Sequence, residues 1–242
     1  MTKQTQQQIR TWIRIPGMLC TAEIFTVMDP YLLTSGQVVD VPIEGASLDS
    51  AAETLLRLVL EKDRPVGVMG VSLGAIIAMA AAAQNPTAFD AVVLISTNPQ
   101  APRPEQFDAW SLMVSRVADG EFPELADELV PALFAPKRAT ARLLQVGRSM
   151  AGQLGQQALL KQLQVQRSRR DLRPELLRIN APTLVIAGSA DQLCGRQPHQ
   201  DITAAIPNAQ LHILEGFGHL MTLEDPATTA GLINQWTTRS NS

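Results

Sequence analysis

Cysteine is scarce: Cys20 and Cys194 are the only two in 242 residues. No disulfide framework can be read from such a pair, so two unpaired thiols in a reducing compartment are the expectation. Histidine is nearly as rare, and chemistry that needs an imidazole must choose among His199, His212 and His219. Long hydrophobic runs are missing too. The longest, over residues 75–83, falls far short of the ~20 residues that span a bilayer, so no membrane anchor is expected. The Gln- and Thr-rich run from Met1 to Arg10 has no apolar stretch of the kind a secretory signal needs, and a cytoplasmic location is the expectation. Neither sign of charge is in marked excess: the formal net charge is −3, and nothing argues for a nucleic-acid partner. No internal repeat or low-complexity linker divides the chain.

What is present is apolar residue in quantity, 45% of the total. A chain of this length buries roughly 70–75% of the surface its unfolded form exposes, enough to fold without a metal or disulfide. One domain over residues 1–242 is expected. Residues 9–15 and 37–41 are β-branched or apolar runs closed by Pro16-Gly17 and Pro42, as strands are. Residues 48–60 place Leu48, Ala51, Ala52, Leu55, Leu56 and Val59 at helical spacing. Strand (65–69), helix (72–84) and strand (91–95) then follow without polar alternation, the pattern of a parallel sheet covered on both faces. The unit recurs at 183–187, 198–206, 209–214 and 226–236.

The fold class predicted is therefore α/β: a doubly wound, mostly parallel sheet of about six strands, with a core over 9–96 and 181–237. Between them, at about 97–180, the strand signals stop. Several short helices are expected there, broken at Gly120, Pro123, Pro131, Pro136 and Gly147, forming a lid over the carboxyl ends of the strands or else a subdomain that only packs.

Gly70-Val71-Ser72-Leu73-Gly74 sits where the strand at 65–69 passes into the helix. This is the G-x-S-x-G pattern of a nucleophile elbow, whose sharp turn aims the serine hydroxyl out of the sheet. It also sets the Leu73 N–H at a helix amino terminus, where it can stabilise an oxyanion. Taken alone, Ser72 could equally cap a helix while the two glycines permit close packing. A nucleophilic serine needs a base. His199 falls in a helix and His212 inside a strand, each better explained as a packed or solvated side chain. His219 follows Gly216-Phe217-Gly218 in a loop just after the last strand, where it can swing over the sheet. The orienting carboxylate should follow another strand, and Asp191, after Ser189-Ala190, does so; its plain alternative is a turn aspartate. Asp225, just before Pro226, reads as a helix N-cap. Serine, aspartate and histidine thus occur in order, each at a strand's carboxyl end. The second oxyanion donor is assigned to the Met18 N–H in the early turn Pro16-Gly17-Met18-Leu19, which could also be a turn with no such role.

With these residues the chain resembles the α/β-hydrolase superfamily from Ile13 to Trp236, and within it looks like the small bacterial serine esterases and carboxylesterases. The anchors are Pro16 to Cys20, Gly70 to Gly74, Pro182 to Gly188 with Asp191, and Gly218-His219. It departs from the family in having Pro16-Gly17 where many relatives carry His-Gly, in Val71 before the serine, and in lacking two strands usual before the first. The resemblance implies attack by Ser72 on an ester carbonyl, His219 as base, Asp191 holding the imidazole tautomer, and water resolving an acyl-enzyme, with no metal or organic cofactor. Lactone opening, thioester cleavage and carbon–carbon bond hydrolysis use the same constellation. A noncatalytic binding protein on the same fold is the alternative from another class.

Substrate identity should reside in the insertion. Trp110, Met113 and Met150 are the candidate pocket residues, with Phe107 and Phe134 beside them; at least half of the five are expected to be core. Arg138, Arg142, Arg148, Arg167, Arg169 and Arg170 suit a carboxylated substrate or an acidic acyl carrier protein, although such a run more often makes a solvated helix face. Cys20 and Cys194 read as small apolar fillers at the site rim. The oligomeric state is not legible.

Overall fold

The structure is a computed structural model that describes residues 8–33 and 36–240. Most of the polar run read from Met1 to Arg10 therefore lies outside the described residues. Six strands are present among these residues, β1 (Thr11–Ile15), β2 (Gln37–Asp40), β3 (Val66–Val71), β4 (Ala91–Ile95), β5 (Thr183–Gly188) and β6 (Ala209–Leu214). They form one sheet in the order β2-β1-β3-β4-β5-β6, with every neighbouring pair parallel. The uninterrupted apolar runs of β3, β4 and β5 are buried at every residue, because helices cover both faces of a parallel sheet. The edge strands β2 and β6 are only partly covered.

Among the described residues, nine α-helices flank or extend the sheet: α1 (Glu23–Thr26), α2 (Leu48–Leu60), α3 (Leu73–Gln84), α4 (Pro104–Ala118), α5 (Phe122–Leu129), α6 (Ala141–Arg167), α7 (Arg196–Ala205), α8 (Met221–Glu224) and α9 (Pro226–Ser240). Helix α2 starts at a reciprocal cap, Ser47 and Ser50 each accepting the other's backbone N–H, and turns an apolar stripe toward the sheet. Helix α3 is apolar on all sides and buried from Leu73 to Ala83, as a helix wedged between sheet and neighbours must be. The period-2 alternation of β3 divides the core in two. Val66 and Val68 join α2, α3 and Ile202 of α7 on one face; Met69 and Val71 join Phe25, Ile233 and Trp236 on the other.

Because β1 lies between β2 and β3, the chain leaves the carboxyl ends of β1 and β3 in opposite directions, and the crevice so opened is where open α/β sheets bind ligands. The loop at Gly17 and the turn at Ser72 flank that crevice. Helices α4, α5 and α6 depart from β4, return to β5, and share a third apolar cluster formed by Trp110, Val117, Leu125, Ala151, Leu159 and Leu163 together with Leu19 of the early loop. The break expected at Gly147 is absent: α6 runs through it, and the residue is glycine because a Cβ would press on Val130. The interruption falls instead at Gly155, whose backbone is non-helical (φ 72°, ψ 175°), a conformation that costs glycine little.

Candidate active site

Ser72 occupies the turn from β3 into α3 with φ 53° and ψ −116°, a strained conformation for a residue with a side chain. Neighbouring strands fix it: the Ser72 N–H donates to the Ile95 carbonyl at 2.9 Å. The flanking glycines are required by contact, since a Cβ on Gly70 would meet the Ala75 backbone and one on Gly74 would collide with the carbonyl oxygens of Ile15 and Pro16. Leu73 is the first residue of α3 and fully buried. Its N–H and that of Met18 make no hydrogen bond among the described residues, and Met18 lines the cavity beside Ser72. The next residue, Leu19, has φ 59° and donates its N–H to Gln162 Oε1 of α6 at 2.9 Å.

His219 and Asp191 come together from the loops after β6 and β5, with His219 Nδ1 2.8 Å from Asp191 Oδ2. Asp191 Oδ1 accepts the N–H groups of Leu193 (2.8 Å) and Cys194 (3.0 Å). Burial pushes the Asp191 carboxyl upward, but the His219 ring and those two backbone donors outweigh it and hold the group below the usual carboxylate range. With Nδ1 engaged, Nε2 is the ring atom left for another partner. The His219 loop is itself pinned by Glu224, whose carboxylate accepts the Gly218 N–H at 3.0 Å and the Ala135 N–H at 2.6 Å; Gly218 has no room for a Cβ against Ala135. As expected, Asp225 caps α9, accepting the Thr228 N–H at 2.9 Å.

Ser72 and His219 face one cavity of about 200 Å³, enclosed by the crevice on one side and α4, α6 and the 129–133 segment on the other. Trp110 and Met113 line it, with Phe107 edge-on to Trp110 at a ring separation of 5.8 Å. Met150 does not line it, a correction to the sequence reading: it is fully buried in the same cluster as Val130 and Phe134, on the inward face of α6. Cys20 and Cys194 are unpaired, line the cavity, and are pushed up by burial to about 12, so both stay thiols at neutral pH. Asp191, Cys194 and His219 bring ligand atoms within 4.8 Å of one another. A protonated thiol and a carboxylate already accepting three hydrogen bonds make a poor cation site, so the donor set favours hydrogen bonding over metal ligation.

Two further residues support the site in ways the sequence did not single out. His199 is fully buried; its Nδ1–H donates to the Gly195 carbonyl (2.8 Å), and its Nε2 accepts the Thr97 N–H (2.9 Å). Burial pushes its pKa down, so the ring is neutral. Thr97 in turn donates its hydroxyl to the Ser72 carbonyl at 3.1 Å, which ties this histidine to the elbow from below. Arg169 is the other. The run containing it reads as a solvated face, yet Arg169 is 7% exposed and lines the cavity.

The chain belongs to the serine aminopeptidase S33 family, whose sequence pattern matches residues 45–226, within the α/β-hydrolase superfamily. Among curated proteins it is 31% identical over 200 residues to the polyketide synthase ThaQ of Burkholderia thailandensis, covering 75% of this chain and 9% of that one. It is 28% identical over 162 residues to RutD of Pseudomonas savastanoi pv. phaseolicola, a protein named as a carbamate hydrolase, covering 65% and 62%. The chain thus spans less than two thirds of either relative. The fold is shared with a thermophilic esterase from Thermogutta terrifontis (TM-score 0.85, 19% identity, 96% of this chain and 91% of that one). It is shared equally with the enol-lactonase of Burkholderia xenovorans LB400 (TM-score 0.83, 19% identity, 95% and 92%).

Proposed function

We propose that the protein is a serine hydrolase that cleaves a carboxylic ester or related acyl bond in a small to medium, largely apolar substrate. The observation that carries this reading is the 2.8 Å contact of Asp191 with His219 Nδ1, which leaves Nε2 on the cavity that Ser72 also lines. In this reading the Ser72 oxygen attacks the carbonyl carbon while His219 Nε2 takes its proton, and Asp191 stabilises the imidazolium so formed. The carbonyl π pair moves onto oxygen, where the N–H groups of Leu73 and Met18 receive it, Leu73 with the added field of the α3 amino terminus. Collapse of the tetrahedral intermediate expels the alcohol, which leaves with the proton from His219. Water, deprotonated by the same ring, then releases the acid and frees Ser72.

Lactones, thioesters, carbamates and activated carbon–carbon bonds present the same electrophilic carbonyl, and the relatives' names include a lactonase and a carbamate hydrolase. The reading is tested with p-nitrophenyl esters of increasing acyl length. The expected result is turnover by the wild type, its loss in Ser72→Ala, and labelling of Ser72 by a fluorophosphonate. Absence of both turnover and labelling would overturn it and leave a binding protein; labelling without ester turnover would move the search to the other acyl bonds.

A further inference from the structure

The cavity holds a cation with no counter-charge. Arg169, just past the carboxyl end of α6, is nearly excluded from solvent, and every group it touches is neutral. Its Nη1 donates to Gln166 Oε1 at 2.6 Å, and its Nη2 to Asn98 Oδ1 at 3.1 Å and the Gln100 carbonyl at 2.8 Å. Nε is buried with no acceptor among the described residues. The neighbouring arginines are satisfied differently: Arg170 pairs with Asp49 and Glu175, and Arg173 with Asp171. Arg169 forms no ion pair among the described residues, and burial lowers its pKa to about 10, so at neutral pH it remains a buried ion. An uncompensated buried charge is costly to a fold, and one that persists on a ligand cavity points to a ligand that compensates it.

The rest of that cavity end agrees. Among the described lining residues there is no aspartate or glutamate. The amide oxygens there are already occupied: Gln166 Oε1 by Arg169, Asn98 Oδ1 by Arg169 and the Gln100 N–H, Gln106 Oε1 by the Arg103 N–H. What Gln106 and Gln166 have left to offer are NH₂ donors. Much of the remaining lining, including Met18, Trp110, Met113, Leu129 and Leu133, is apolar. We infer that the substrate carries a carboxylate, separated from the scissile bond by an apolar segment and held by Arg169 with the Gln106 and Gln166 amides. This rests on the serine-hydrolase reading above. A carboxylate suits the site better than a phosphate monoester, because one planar guanidinium matches one charge, whereas a phosphate brings nearly two. Asn98 adjoins Thr97, which holds the Ser72 carbonyl, so the cationic end lies one residue from the segment that supports the nucleophile.

The test pairs substrates that differ only in the terminal group. On the acyl side these are p-nitrophenyl hexanoate, the p-nitrophenyl monoester of adipate and its terminal amide; on the alcohol side, p-cresyl butyrate and 4-carboxyphenyl butyrate. In the wild type the carboxylated member of at least one pair is expected to have a kcat/KM at least about tenfold higher, mainly through KM, as for other charge-assisted contacts. Arg169→Gln should erase that preference and Arg169→Lys keep part of it. Wild-type turnover with no preference for either carboxylated member overturns the inference whether or not the variants fold, and fluorophosphonate labelling of Ser72 in the same sample shows that the hydrolase reading survives. If neither turnover nor labelling occurs, the hydrolase reading falls. The carboxylate site is then decided by whether adipate raises the wild-type melting temperature and fails to raise that of Arg169→Gln; no rise in the wild type overturns it.

Discussion

Replacing His199 with leucine removes a side chain that the proposed chemistry never touches and should still weaken the molecule severely. Leucine is close to histidine in volume, so the main loss is polar. The Thr97 N–H, at a fully buried residue, loses its only acceptor, which costs about 1–3 kcal/mol for a stranded donor. The Gly195 carbonyl belongs to an exposed residue and can recruit water, so its lost bond adds only about 0.5–1 kcal/mol. The sum, about 1.5–4 kcal/mol, corresponds to a fall in melting temperature of roughly 3–16 °C for a chain of this length. A second readout is independent of that sum. Burial holds the folded-state pKa of His199 below its ordinary value, so the unfolded chain takes up a proton first as pH falls below about 6.5. The histidine's contribution to stability is therefore whole above that pH and is lost progressively below it. Calorimetry of both proteins between pH 8 and pH 5 should show a steeper decline in the wild type than in His199→Leu. A melting temperature within about 2 °C of wild type, together with parallel acid slopes, would refute the assignment of His199 as a neutral strut beneath the elbow.

Gly74→Ala should abolish activity and lower the yield of folded protein, because the added methyl meets two backbone carbonyls that carry β1 into the loop at Gly17; a soluble variant with wild-type turnover would contradict the packing described. Met150→Ala should cost about 2–5 kcal/mol as a core cavity while leaving KM for any ester unchanged. A large rise in KM at unchanged stability would return Met150 to the pocket.

The sheet and its order of elements were readable because parallel strands buried on both faces announce themselves as unbroken apolar runs. Helix α2 and strands β4 and β6 have the boundaries that apolar periodicity assigns. Helix α7 begins two residues earlier than expected, at Arg196, since Gly195 rather than proline ends the preceding loop. The contact of Asp191 with His219 was foreshadowed by residue order after successive strands, a property of topology that sequence carries directly. Within the insertion legibility failed. Gly147 looks like a helix breaker and is instead a point of close approach; Met150 looks like pocket and is core. Arg169 is indistinguishable in sequence from the solvated arginines around it, because its burial depends on the loop at 98–100, some seventy positions away. The polar partners of His199 are equally non-local.

The bond from the Leu19 N–H to Gln162 ties the helical insertion to the early loop at Gly17 rather than leaving it a cover resting upon the sheet. A lid borrowed from another member of the family would arrive without that glutamine, and the early turn would lose the clamp that holds Leu19 at φ 59° beside Met18. Under the proposed mechanism, substrate range and turnover in this scaffold are consequently not separable modules: a chimera that changes what the cavity accepts would also change how firmly the Met18 N–H receives the carbonyl oxygen, unless position 162 is carried along with the host loop.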